Sequence, residues 1–201
     1  MALSIISSSD ARYDEVLHTL QADGSSTPCV LLGNEDTAKD LQLLKSLGIT
    51  HIVTASESVG QLFPADFTYH EVPLSDDRAT DLSPFLTPCA NFMQQALANP
   101  HNRVYVHCKV GTSRSVSLLL FYMMRERHYS LRNALLHVMH VRSSNPRAPY
   151  SHPNMGFMRQ LIACEKLMSG DGTASLTLDA YLSQEYSCGK NISHGPVPPP
   201  E

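Results

Sequence analysis

The stretch VYVHCKVGTSRSVSLLL, residues 104 to 120, sets a thiol and a guanidinium in a short polar bend between two apolar runs. The first run has the β-branched and aromatic composition of a strand and delivers His107 and Cys108. The second repeats apolar residues at Val116, Leu119, Leu120, Met123 and Met124, the spacing of an amphipathic helix. Ligands of open parallel sheets sit beyond the carboxyl ends of strands, which is where Cys108 falls. Backbone N–H groups of Lys109, Val110, Gly111, Thr112, Ser113 and Arg114 can turn inward together there, joined by the positive end of the helix dipole. Such a nest binds a tetrahedral dianion. It also favours thiolate over thiol, taking a cysteine from about 8.5 into the range of roughly 3.5–7.5. Gly111 permits close backbone approach, or a φ that side chains resist. Arg114 adds a planar fork that can hold two phosphate oxygens at once, which a lysine could not do. The bend reads as a phosphate cradle with a nucleophile at its base.

The elements that must position this bend follow from the pattern on either side. A short helix is read in DARYDEVLHTLQA (10–22), and a strand from Cys29 to Asn34, stopping at Gly33. EDTAKDLQLLKSLG (35–48) has helical spacing at Ala38, Leu41, Leu44 and Leu47 and ends in Gly48. Strands are expected from Thr50 to Ser56 and from Phe67 to Leu74, the second running into the polar loop SDDRATD. Asp81 can cap the helix LSPFLTPCANFMQQALA, whose early prolines are tolerated near the first turns. Beyond the bend, SLRNALLHVMHVR is a helix with Leu131, Ala134, Leu135 and Val138 on one face. The loop NPRAPYSHPN leads into a last helix carrying Met158, Leu161, Ile162 and Met168. Strands alternating with helices give an α/β fold with a largely parallel sheet. From Gly170 the periodicity is lost, and the segment to Glu201 reads as a mostly disordered tail.

Composition narrows the classes of function. The chain has 201 residues, 42% hydrophobic, enough for one domain with a sizeable core. A net charge of −4 offers no global basic field for nucleic acid or an anionic membrane. The longest apolar stretch, Leu118 to Met124, is far short of the roughly 20 residues that span a bilayer. The amino-terminal segment lacks the pattern of a secretory signal, and Ala2 excludes N-myristoylation. The five cysteines are scattered without ligand spacing, indicating neither a zinc site nor a disulfide framework. Cys89 and Cys164 sit in helical patterns as core thiols, and His137 and His140 on a helix read as hydrogen-bonded or solvated rather than metal-bound. A soluble, intracellular protein is expected.

The pattern His-Cys-x5-Arg-Ser, filled by His107, Cys108, Arg114 and Ser115, resembles the signature of the cysteine-dependent protein tyrosine phosphatase superfamily. From Cys29 to Met168 the chain is most similar to the small, atypical dual-specificity phosphatases; LLGNEDTAKDLQLLKSLGITHIVTASE looks like their opening strand, helix and strand, and PNMGFMRQL like their last-helix entry. The resemblance implies a central, mostly parallel five-stranded sheet flanked by helices. It implies a catalytic domain over 28–169, an amino-terminal extension over 1–27 and a tail over 170–201.

By the same resemblance Cys108 attacks phosphorus, forming a cysteinyl phosphate. Arg114 and the amides from Lys109 to Ser113 hold the equatorial oxygens. VPLSDDRATD supplies Asp76 and Asp77 as candidate acids; the family's register, read through Val72, Pro73, Leu74 and Ser75, selects Asp76 over Asp77. That residue would protonate the leaving oxygen and then activate water. Ser115 would donate to the departing thiolate, and His107 would order the loop by hydrogen bonding to backbone. No metal or organic cofactor is implied. A shallow pocket for phosphotyrosine and phosphoserine or phosphothreonine on proteins is expected, in the cytoplasm and also the nucleus. The alternatives are a phosphoinositide or other non-protein phosphatase, with only Lys109 basic between Cys108 and Arg114, and a non-catalytic phosphoprotein-binding module. Arg142, Arg147 and Arg159 are candidates for a second phosphate or an acidic segment, a solvated surface being the alternative. The link over 142–153 looks longer than the family's usual one. PVPPP in the tail could meet an SH3 or WW domain.

Overall fold

In β5 (Val104–His107) every residue is buried, because the strand has neighbours on both edges and layers on both faces. Side chains alternate between two cores. Val104 and Val106 face the larger, with Val30, Leu32 and Val53, while Tyr105 faces the smaller, with Leu31 and Ile52. The computed structural model describes residues 13–20, 26–143 and 151–183. The sheet contains β1 (Tyr13–Leu20), β2 (Ser26–Gly33), β3 (His51–Ala55), β4 (Thr68–Val72) and β5 in the order β1-β2-β5-β3-β4. Only the β1–β2 pairing is antiparallel; the others are parallel. This is the mostly parallel five-stranded α/β sheet that was expected. Its register sets Gly33 and Thr54 beside His107, so the central strand ends between two neighbours and releases Cys108 at the carboxyl edge.

The helices are α1 (Glu35–Ala38), α2 (Leu41–Ser46), α3 (Ser83–Leu97), α4 (Arg114–Arg127), α5 (Leu131–Ser143), α6 (Met155–Met168) and α7 (Leu178–Leu182). The smaller core lies under α1 and α2, through Ala38 and Leu44. The larger gathers α3, α4, α5 and α6. Every residue of α4 from Ser115 to Met124 is buried, so this helix is enclosed all round rather than amphipathic as its spacing suggests. No described helix is long and apolar enough to cross a membrane.

Three expectations are corrected. The segment read as a helix at 10–22 forms strand β1 over its described part. Register shifts between Glu15 and Leu17 and between Leu17 and His18 break the alternation there, which puts Val16 and Leu17 both inside and imitates helical spacing. The helix expected over 35–48 is two short ones, because the Asp40 carboxylate accepts from the Leu43 N–H and starts a new helix. Order extends past Gly170. Thr177 caps α7, and Leu176 and Tyr181 are each 1% exposed. Residues 184–201, with the PVPPP motif, and residues 144–150, with Arg147, lie outside the described residues.

Candidate active site

Between β5 and α4 the chain makes a loop whose carbonyls are taken by groups outside it. The Glu35 N–H donates to the Lys109 carbonyl over 3.3 Å, and the His152 N–H to the Thr112 carbonyl over 2.9 Å. An Arg142 Nη1 donates a short hydrogen bond to the Gly111 carbonyl. In a trans peptide the C=O and the following N–H point opposite ways. Anchoring these three carbonyls outward therefore turns the N–H groups of Val110, Thr112 and Ser113 toward the concave side, over Cys108. Gly111 is required twice: its φ is +85°, and a Cβ there would lie 2.5 Å from the Gly33 carbonyl oxygen.

Cys108 is 1% exposed. The Gly111 N–H donates to its Sγ over 3.1 Å and the Ser115 hydroxyl over 3.2 Å. Burial pushes the thiol up, but the Ser115 side chain and backbone, the Gly111 N–H and the Arg114 charge outweigh it, and the group is held below the ordinary thiol value. Cys89 is equally buried in α3 and has only desolvation acting on it, which pushes it up to about 12. The two thiols differ in donors, not in depth. Of the two, only Cys108 has its anionic form favoured.

Arg114, the first residue of α4, donates from Nη1 to the Leu74 carbonyl over 3.3 Å. Its Nε lies 3.7 Å from Asp76 Oδ2, too far for a hydrogen bond, and is buried without an acceptor. A charged donor is thus kept beside the loop. Asp76 Oδ1 accepts from the Ser113 hydroxyl at 2.7 Å and from the Asn154 side-chain amide at 2.9 Å. Asn154 closes the ring, its N–H donating to Ser113 Oγ over 3.0 Å. Asp77 takes no part in this ring. It is exposed and its carboxylate accepts from the Ala79 N–H, as a turn residue does. The geometry brings Asp76, and not Asp77, to the cradle.

Asn154 was missed by sequence reading. An asparagine before a helix reads as an N-cap, and its Oδ1 does accept from the Phe157 N–H. The amide half of the same side chain, pointing the other way, reaches Asp76. Two residues on, Gly156 lets α6 approach the segment carrying Asp76, since a Cβ there would collide with the Arg78 backbone carbonyl. The 151–154 segment is supported in turn by α7: the Tyr181 hydroxyl donates to the Pro153 carbonyl over 2.6 Å, and its ring lies 5.0 Å from that of His152.

Other candidates fall as follows. Lys109 and Val110 are exposed at the rim, Val110 at 51%. His107 shares a hydrogen bond through Nε2 with Thr54 Oγ1 over 3.1 Å and stacks its ring on Tyr105, and the Cys108 backbone also acts on it as a hydrogen-bond partner. Burial lowers His107 to about 4, which keeps it neutral. Arg142 is not at the surface but 5% exposed, whereas Arg159 is exposed. His137 is hydrogen-bonded, through Nε2 to the Val16 carbonyl. Among the described residues no cluster of three or more His, Cys, Asp or Glu could hold a metal ion.

Comparisons with known proteins bear on this site. The family model for the dual specificity phosphatase catalytic domain matches residues 30–167. Dual specificity protein phosphatase 1 of Arabidopsis thaliana is 37% identical over 137 residues, covering 68% of this chain and 66% of that one. Protein phosphatase Slingshot homolog 3 of Rattus norvegicus is also 37% identical over 134 residues, 67% of this chain but only 20% of its own length. The chain thus spans between 12% and 20% of the length of the Slingshot relatives it matches. Among solved structures, human DUSP28 superposes with a TM-score of 0.61 at 30% identity, over 77% of this chain and 95% of that one. A mouse putative dual specificity phosphatase complexed with zinc tungstate gives 0.63 at 29% identity, over 78% and 91%.

Proposed function

The chain belongs to the dual specificity phosphatase family, and we propose that it is a protein phosphatase that removes phosphate from tyrosine and from serine or threonine through a cysteinyl-phosphate intermediate. The observation that carries this reading is the pair of hydrogen bonds, from the Gly111 N–H and the Ser115 hydroxyl, that converge on Cys108 Sγ. A thiolate at the base of an inward-facing amide ring is a nucleophile already aligned with the phosphorus of any dianion the ring binds.

The proposed steps are these. Sγ attacks phosphorus and the bond to the leaving oxygen breaks, leaving a thiophosphoryl enzyme. Arg114 and the loop amides meet the charge spread over the three equatorial oxygens. Asp76, held beside the start of α4 by the Ser113 hydroxyl, delivers a proton to the leaving oxygen and then takes one from the water that attacks the intermediate. Ser115 donates to the sulfur as it departs. None of these steps calls for a metal or organic cofactor. The tungstate complex of the mouse relative is in keeping with the reading, tungstate being a tetrahedral oxyanion like phosphate. A reducing, cytoplasmic setting would suit a thiol of depressed pKa. The catalytic unit is read as 28–169, with β1 and α7 packed onto it.

Phosphate release from an aryl phosphate, from phosphotyrosine and phosphothreonine peptides and from phosphoinositides tests the reading, with Cys108→Ser as control. Hydrolysis of the aryl substrate and of both peptide classes, abolished by Cys108→Ser, is the expected result. Hydrolysis confined to phosphoinositides would reassign the substrate, and turnover surviving Cys108→Ser would end the mechanism.

A further inference from the structure

The cradle depends on a buried ion pair that the nucleophile motif does not contain. Arg142, near the end of α5, directs Nε at Asp14 Oδ2 over 2.9 Å; the two side chains are 4% and 3% exposed. Its Nη1 reaches two groups, the Gly111 carbonyl and, over 3.4 Å, the Ser151 hydroxyl. A pair this deep is weak evidence of stabilisation, because desolvating both charges offsets much of their attraction. Its geometric effect is specific. The Asp14 carboxylate fixes the plane of the guanidinium, and the guanidinium fixes the Gly111–Thr112 peptide with its carbonyl outward and the Thr112 N–H on the Cys108 side. Gly111 needs such a hold, since no side chain of its own restrains its positive φ. Asp14 lies in β1, outside the range the family model matches.

Resting on the phosphatase reading above, we propose that Arg142, oriented by Asp14, is a positioning residue for oxyanion binding and thiolate formation at Cys108, acting through the Gly111–Thr112 peptide without touching substrate. Arg142→Met removes the fork, Arg142→Lys keeps the charge but cannot serve Asp14 and Gly111 in one plane, and Asp14→Asn keeps the shape while releasing the guanidinium.

The full chain is used throughout. Three readings are taken on each variant: thermal unfolding, the pH midpoint of Cys108 alkylation by iodoacetate, and the tungstate concentration that protects Cys108 from alkylation. Arg142→Met is expected to need about ten- to a hundredfold more tungstate, the cost of a misplaced donor, and to move the alkylation midpoint upward. Asp14→Asn moves both the same way by less, and Arg142→Lys falls between wild type and Arg142→Met. A folded Arg142→Met with the wild-type midpoint and tungstate protection within about twofold of wild type overturns the proposal, even if its unfolding temperature drops. Should Arg142→Met fail to fold, Asp14→Asn decides by the same two readings. Neither reading uses turnover, so a wild-type chain that hydrolyses no phosphate ester would defeat the proposed function and still leave the role of Arg142 decided.

Discussion

Asn154 joins Asp76 to the start of α6: one end of its side chain caps the helix at the Phe157 N–H, and the other donates to Asp76 Oδ1 over 2.9 Å. With the Ser113 hydroxyl on the same oxygen, the carboxylate is aimed by two donors, one from the loop and one from the entry to α6.

If that carboxyl is the acid, Asp76→Asn lowers kcat by about 10²-fold for aryl phosphates with poor leaving groups, and much less for good ones. Asp77→Asn, which alters only a turn, stays within about twofold. Steady-state kcat against leaving-group pKa checks both. A steepened dependence in Asp77→Asn instead would move the acid to that residue.

The two ends of Asn154 separate by substitution. Asn154→Asp keeps a helix cap but sets a second carboxylate against Asp76, so kcat falls while thermal stability is largely kept, and the alkaline limb of the kcat profile moves to higher pH. Asn154→Ala loses both ends, lowering stability by about 1 kcal/mol as a lost cap does. Thermal unfolding and pH–rate profiles distinguish these outcomes.

Ser115 supplies one of the hydrogen bonds that hold Cys108 below the ordinary thiol value. Ser115→Ala is expected to raise the pH midpoint for alkylation of Cys108 and to slow release of the sulfur from phosphorus. Rapid mixing with an aryl phosphate then gives a burst of phenol of about one equivalent per enzyme, followed by a slow phase. Turnover without a burst and with an unmoved midpoint would remove Ser115 from the second step.

Protonation of His107 destabilises the fold. Its folded value, depressed to about 4, lies below that of a free imidazole, so between about 6.5 and 4 the unfolded chain binds a proton that the folded chain does not. The contribution is whole above that window and is lost as pH falls through it, on the order of 3 kcal/mol at the acid end. Unfolding temperature should decline across this range, and His107→Asn should flatten the decline.

The thiol, the arginine and the loop between them were legible as a candidate site because they form one continuous stretch with a strand pattern before it and a helix pattern after it. Asp76 needed the family's register, since Asp76 and Asp77 are equivalent as sequence and differ only in which donors meet them. Asn154 and Tyr181 were opaque as site residues, and Arg142 was read as a contact for a second phosphate or acidic segment, for a shared reason: each acts through a contact distant along the chain, while its local signal is that of a cap, a tail or a helix-end charge. Strand β1 was hidden by its bulge, and the fully enclosed α4 passed as amphipathic because polar Ser115 and Ser117 in it are satisfied internally.

The carbonyls that shape the cradle are held from Glu35, Arg142 and His152, and Ser113 meets its partner Asn154 at a separation of 41 residues. Of these only Glu35 precedes the Cys-to-Arg segment, so a ribosome would release that segment before Arg142, His152 and Asn154. The loop therefore gains its last holds only when the carboxyl-terminal third docks, so the cradle's final shape arrives together with the completed fold and reports on it.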